Sequence, residues 1–302
     1  MGFKETKIIK NFDYPTACLD MNLSESGNFL VSIGTYKPSV KIHDLTNIAQ
    51  KSNRHLEAEP MKVLSLTKNC EKLALLRVDR YVEFHVKYGM HERIRMPKLC
   101  YDLKFNKFSG DIIACGNSNN IFRFNLIDGK FCTPYDTSLK CIMEIDINSV
   151  HSLVGYCGKN NVEFLDQRSS KIVSTTEHNE NFLHMAFSNN GLNFVVGTEN
   201  GEILVFDLRS KNPLYKYNHK ESVRKVKMIE KKIISIDKHT VMIYKDGEIV
   251  DKIPVNVPIN TFEVNGGIIF LGLDDINMRT YYSTDFGDIP DWCNIIKVDE
   301  NL

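Results

Sequence analysis

The chain has 302 residues, with 38 Lys and Arg balancing 38 Asp and Glu. Zero net charge excludes a protein that coats nucleic acid by bulk electrostatics, so any such contact has to be local. The length exceeds an ordinary single domain, yet all-β repeat folds reach it as one unit.

The opening MGFKETKIIK lacks the apolar core of a signal peptide, and apolar runs such as GGIIFLGL are far too short to span a bilayer. These features predict a soluble protein with no membrane contact. Within the opening, residues 3–10 read as a strand that precedes the first repeat. The eight cysteines, at 18, 70, 100, 115, 132, 141, 157 and 293, include no Cys-x-x-Cys pair, which leaves zinc and thioredoxin-like sites unsupported. Several lie in apolar strand-like runs, where a thiol behaves as a small buried hydrophobe, and a reducing intracellular compartment is the simplest reading.

From Val40 onward a short strand recurs: VKIHD, VEFHV, IFRFN, VEFLD, ILVFD, VMIYK and MRTYY, with starts 42, 39, 41, 41, 38 and 37 residues apart. An apolar run precedes each, such as NFLVSIG, KLALLRV or GIIFLGL, and a third run often comes before that. Turn signals separate the runs, among them Ser26-Gly27, Asn190-Gly191 and Gly266-Gly267. Asp128-Gly129 and Asp246-Gly247 mark hairpins into a fourth strand. Four short antiparallel strands per repeat of about 40 residues, seven times over, predict an all-β chain folded as a seven-bladed β-propeller. The last repeat lacks a convincing fourth strand, so residues 3–10 are expected to supply it and hide the open edge. The expected layout is a propeller over 1–285 and a short C-terminal tail over 286–302.

The repeats resemble WD40 units. Asp166 with Arg168, and Asp207 with Arg209, stand where that family places Asp-x-Arg, while its aromatic-acid dipeptide survives as His-Asp, Leu-Asp and Phe-Asp. The only tryptophan, Trp292, lies outside the repeats, so the WD40 network of Trp, Ser or Thr, His and Asp is expected to be incomplete.

Catalytic constellations are missing. There is no Gly-x-Ser-x-Gly elbow, P-loop or His-Glu-x-x-His motif. His43 and His85 share one phase of two repeats, but no carboxylate or cysteine completes a metal-like spacing and each reads as a strand residue. Asp274 and Asp275 belong in a turn, since consecutive strand residues face opposite ways. The expectation is a protein that is not an enzyme, without cofactor, metal or small-molecule substrate.

Two basic stretches remain. In RIRMPK, Arg93 and Arg95 share a strand face, with Lys98 beyond. In HKESVRKVK, Arg224 precedes Lys225 and Lys227, which again share a face. Either ridge is a candidate for RNA phosphates, with Tyr36 or Tyr101 placed to stack on a base, and the competing reading is a solvated sheet surface balanced by acids.

Six stretches in order, GTYKPSVKIHDL, DRYVEFH, RMPKLCYD, DINSVH, GTENGEILVFDLRSKNPL and DIPDWC, resemble the nucleolar protein ten family, WD-repeat components of the small-subunit processome. The resemblance runs from Gly34 to Cys293. It implies a non-catalytic scaffold in the nucleus and nucleolus, needed for maturation of small-subunit rRNA, with other processome proteins as partners; direct contact with pre-rRNA is a candidate through the basic ridges and stays open. Residue by residue, it points to Tyr36, Lys37, Pro38, Arg80, Tyr81 and Trp292 as partner-binding positions. Asp146, Asn148 and His151 match a third family motif, which reads as a structural corner. Family members usually continue past the Trp-Cys motif into a long charged extension, and contacts of that extension are not carried over. The rival is a substrate receptor of a cullin-type ubiquitin ligase, because such WD40 receptors carry Asp-x-Arg in adjacent blades.

Overall fold

The computed structural model describes residues 3–6, 9, 12–283 and 286–293. Every regular element among them is a β-strand, and the strands form seven four-stranded antiparallel sheets. These are the blades of a seven-bladed β-propeller. Blades 1 to 6 occupy residues 18–55, 60–95, 100–136, 142–177, 182–218 and 225–254. Blade 7 takes three strands from residues 259–282 and its fourth from Lys4–Thr6, which pairs antiparallel with Arg279–Tyr282. The N-terminal strand therefore completes the last blade as the repeat pattern predicts, although residues 7, 8 and 10 of the expected strand lie outside the described residues.

Strand order within a blade follows burial. Second strands such as Phe29–Gly34 and Ile268–Leu273 are covered on both faces and read as continuous apolar runs. Fourth strands sit at the outer edge and are largely exposed, as in Gly89–Arg95, while in Ala49–His55 every second residue is exposed. Glycine enters the second strands where packing leaves no room: a Cβ on Gly34 would lie 2.1 Å from Cδ1 of the fully buried Tyr14.

Two compact units can be described, Met1–Arg95 with Val255–Leu302, and Met96–Pro254. In the first, the opening strand of blade 1 packs against those of blades 7 and 2; in the second, the opening strands of blades 3, 4, 5 and 6 pack in sequence. Each opening strand has one edge without a strand partner, which would leave backbone N–H groups unsatisfied. Carboxylates and amides of the preceding blade fill this need. Asp20 Oδ2 accepts from Val63 N at 3.2 Å and Asn22 Oδ1 from Ser65 N at 2.9 Å. In the second unit, Asp102 accepts from Ile145 N at 3.2 Å, Glu144 from Met185 N at 2.9 Å and Asp146 from Phe187 N at 2.8 Å. A β-bulge ending at residue 20, 102 or 144 aims the side chain, and the same bulge recurs in blades 2, 5 and 7.

Past the last strand the chain packs back onto blade 7. Phe286, Trp292 and Cys293 are buried, and the Trp292 ring stacks on Phe270 at 6.5 Å between centroids. Residues 286–293 thus belong to the packing of the last blade, and the rest of the expected tail lies outside the described residues.

Candidate functional site

In the first unit, Tyr36, Lys37 and Pro38 form the turn between the second and third strands of blade 1. Pro38 precedes the third strand, Ser39–Asp44, where its missing N–H costs nothing. Tyr36 takes a left-handed φ of 44° and is 76% exposed, and Lys37 is exposed beside it. The turn is anchored from below by Tyr14, whose hydroxyl hydrogen-bonds Ser32 at 3.0 Å and whose phenol is held well above its ordinary pKa by burial.

The equivalent turn of blade 2 carries Arg80, with a left-handed φ of 69°, and leads into Tyr81. Antiparallel register sets Tyr81 opposite Arg95 and Glu83 opposite Arg93 on the outer strand Gly89–Arg95. Three guanidinium groups consequently surround the Tyr81 ring, those of Arg77, Arg93 and Arg95, at 5.8, 5.5 and 5.9 Å from its centroid. Residues drawn from two separate sequence motifs are one cluster.

Beneath it lies an ionic network. Arg77 pairs with Asp79 at 2.6 Å and with the buried Glu83, which also meets His85 at 3.2 Å. Burial works against both charges, but the paired groups outweigh it, raising the pKa of Arg77 and lowering that of Glu83. His85 is thereby a buried partner of Glu83, while His43 packs edge-on against Phe12 at 5.3 Å.

Trp292 departs from the expectation of a partner-binding side chain. It is only 9% exposed and its ring is spent on core packing, so the Trp-Cys motif holds the chain end to blade 7 instead of presenting a contact.

In the second unit, Lys98 is exposed just ahead of blade 3. Arg224 precedes the opening strand of blade 6, Lys225–Ile229, on which Lys225 and Lys227 share a half-buried face. That strand packs against its neighbour in blade 5, so this ridge is an inner-strand feature, unlike Arg93 and Arg95 on an outer strand. The two basic stretches do not have equivalent settings.

The third motif is a structural corner. Asn148 Nδ2 donates to Gly191 O at 2.9 Å, His151 Nε2 lies 2.8 Å from the same oxygen, and Asn148 Oδ1 caps Val150 N at 2.9 Å. The Asp-x-Arg boxes close on themselves in turns. Asp166 accepts from Arg168 N at 3.0 Å, and Asp207 accepts from Arg209 N at 2.8 Å and pairs with its guanidinium at 2.6 Å. Asp44 caps Thr46 N at 3.0 Å in the same way. The recurring aspartate is an Asx-turn former, so the Asp-x-Arg boxes have a structural role in their turns.

Sequence reading missed two clusters. Ser235 and Asp237 of blade 6 meet His219, in the connection from blade 5, as a WD40-type network, with His219 Nδ1 3.0 Å from Asp237 and Nε2 2.5 Å from Ser235. Tyr244 packs edge-on to His219 at 6.3 Å, where the WD40 pattern would place tryptophan. The signal was legible as His-x₁₅-Ser-x-Asp, but the absent tryptophan concealed it. His178, Glu180 and Glu202 bring three possible ligand atoms within 4.8 Å. Lys216 already pairs with Glu202 there and supplies the positive charge.

A family model described as "Nucleolar protein 10-like, N-terminal domain" matches residues 3–300. The chain belongs to this family. It is 30% identical to Ribosome biogenesis protein ENP2 of Saccharomyces cerevisiae, over 96% of this chain and 44% of that protein. Nucleolar protein 10 of Danio rerio is 29% identical and that of Homo sapiens 28%, each over 97% of this chain and 44% and 46% of the relative. The chain spans less than half the length of these curated relatives.

Proposed function

We propose that this propeller is a non-catalytic scaffold in ribosome biogenesis, acting in the nucleolus as part of the small-subunit processome that matures small-subunit rRNA. The observation that carries the reading is the family match across residues 3–300, with relatives named as ribosome biogenesis and nucleolar proteins. The side chains are consistent with it. Buried acids, histidines and tyrosines are consumed in ion pairs, caps and blade-to-blade bonds, and the exposed features are turns suited to contacting macromolecules.

Other processome proteins dock on the turns of blades 1 and 2, where Tyr36, Lys37 and Pro38 form the leading contact and Arg80 with Tyr81 the second. An exposed tyrosine on a firmly anchored turn offers contact area at low entropic cost. The test is tagging in the native cell, crosslinking and gradient sedimentation. Co-sedimentation of the chain with small-subunit rRNA precursor in very large particles is expected, with the triple change Y36A/K37A/P38A weakening it. Recovery with a ubiquitin-ligase adaptor and no ribosomal precursor would overturn the proposal.

A further inference from the structure

We infer that the arginine cluster around Tyr81 is a phosphate grip for single-stranded RNA, reading the backbone and not the bases. The inference rests on the ribosome-biogenesis reading for the identity of the anion and on the blade 2 geometry for everything else. Arg93 and Arg95 lie two residues apart on a regular stretch of an outer strand, about 7 Å along it. That separation is close to the spacing of successive phosphates along a nucleic-acid strand, so the pair fits a repeating anion better than a single carboxylate.

Tyr81 holds the cations in place. Arg95 sits directly across the strands from it, Arg93 is its diagonal neighbour, and Arg77 approaches from the preceding strand. Three guanidinium groups at 5.5 to 5.9 Å crowd the ring, which favours an anion over a stacked base at this cluster. Stacked guanidinium groups, in contrast, keep planar N–H edges that match phosphate oxygens bidentately. Asp79 and Glu83 both pair with Arg77, which fixes the platform, occupies that guanidinium and leaves the two outer-strand arginines as the contacting residues. Arg93 meets Glu57 at 3.1 Å, but both are substantially exposed, and a phosphate displaces such a partner readily.

Fluorescence anisotropy tests the grip, using labelled single-stranded oligouridine and oligoadenosine RNA of about 12 nucleotides and the full chain at about 50 to 200 mM KCl. The double variant R93Q/R95Q is expected to weaken binding to both RNAs by the same factor. It should also flatten the slope of log K against log salt by about 1.4, or about 0.7 for each phosphate left unneutralised. An unchanged slope, or a weakening confined to one sequence, would overturn the inference. Glu57→Gln removes the competing carboxylate and is expected to tighten binding about two- to five-fold, a gain that misfolding cannot mimic. Unchanged affinity in this variant counts against the grip. Binding of a polyglutamate peptide with no RNA affinity at the lowest salt would replace RNA with an acidic protein partner. The two readings fail separately: a chain that binds RNA through these arginines but never enters pre-ribosomal particles refutes the scaffold alone, whereas one that enters them with RNA affinity indifferent to R93Q/R95Q refutes the grip alone.

Discussion

Replacing Asp237 by alanine probes the one WD40-type polar network that the sequence concealed. The Asp237 carboxylate is 2% exposed and accepts four hydrogen bonds: from His219 Nδ1 at 3.0 Å, His239 N at 2.7 Å, and Thr240 N and Oγ1 at 2.6 Å each. A hydrogen bond to a charged group is worth about 1.5 to 3 kcal/mol, but water replaces part of the two turn N–H bonds. The change also leaves the buried His219 with one partner fewer, so the net loss is about 3 to 5 kcal/mol. For a protein of this size that corresponds to a fall in Tm of about 6 to 10 °C by scanning calorimetry. Burial raises the pKa of Asp237, but the hydrogen bonds outweigh it and hold it well below the ordinary carboxylate value. A depressed folded pKa contributes stability that is fully present above the unfolded value near 4 and is lost as pH falls through the folded one. The Tm gap between wild type and Asp237→Asn should therefore narrow as pH drops from about 6 to 3. A D237A protein within about 2 °C of wild type, or a D237N gap independent of pH, would refute the assignment.

Gly34→Ala forces a Cβ against the Tyr14 ring and should cost about 1 to 3 kcal/mol in urea unfolding, with wild-type stability contradicting the close approach. With Ellman's reagent on the native protein at pH 8, the half-buried Cys132 and Cys141 should react first. Burial pushes the Cys100 thiol up to about 12 and raises Cys115 and Cys157 well above the ordinary value, so these should stay silent until unfolding; rapid labelling of all eight cysteines would refute the burial. Charge reversal at Arg168 and Arg209, whose side chains are 89% and 73% exposed, should leave the melting temperature and co-sedimentation intact. A cullin adaptor released on that reversal would instead restore the ligase-receptor reading.

The blades were legible because their signal is repeated and local. Each of the seven strands used to set the period, from Ser39–Asp44 to Arg279–Tyr282, is the third of its blade. Even the missing strand of blade 7 could be placed, since one edge was left open and one strand-like segment unused. The polar sites were less legible because register joins residues that spacing separates. Tyr81 and Arg95 were assigned to different motifs, and only strand pairing sets them face to face. Trp292 misled for a related reason: a lone aromatic near the chain end reads equally as a contact or a plug, and its packing on Phe270 depends on the chain folding back onto blade 7.

Their settings on inner and outer strands explain why the two basic stretches should differ in function. On the inner strands of the second unit, Asp102, Glu144 and Asp146 are committed to backbone N–H groups of the following blade and cannot be dispensed with. On this row Lys104 approaches Asp146 at 3.7 Å. Lys225 and Lys227 lie on the same row of opening strands, half-buried and packed against blade 5, where an incoming phosphate has less access. Arg93 and Arg95 stand instead on an outer strand, where Glu83 across from Arg93 is already paired with Arg77 and His85 and Glu57 is a surface group at 70% exposure. Neutralising Lys225 and Lys227 together should accordingly leave the salt dependence of RNA binding unchanged while R93Q/R95Q flattens it. Equal effects of the two double variants would mean that placement on an inner or an outer strand does not govern where an anion can bind.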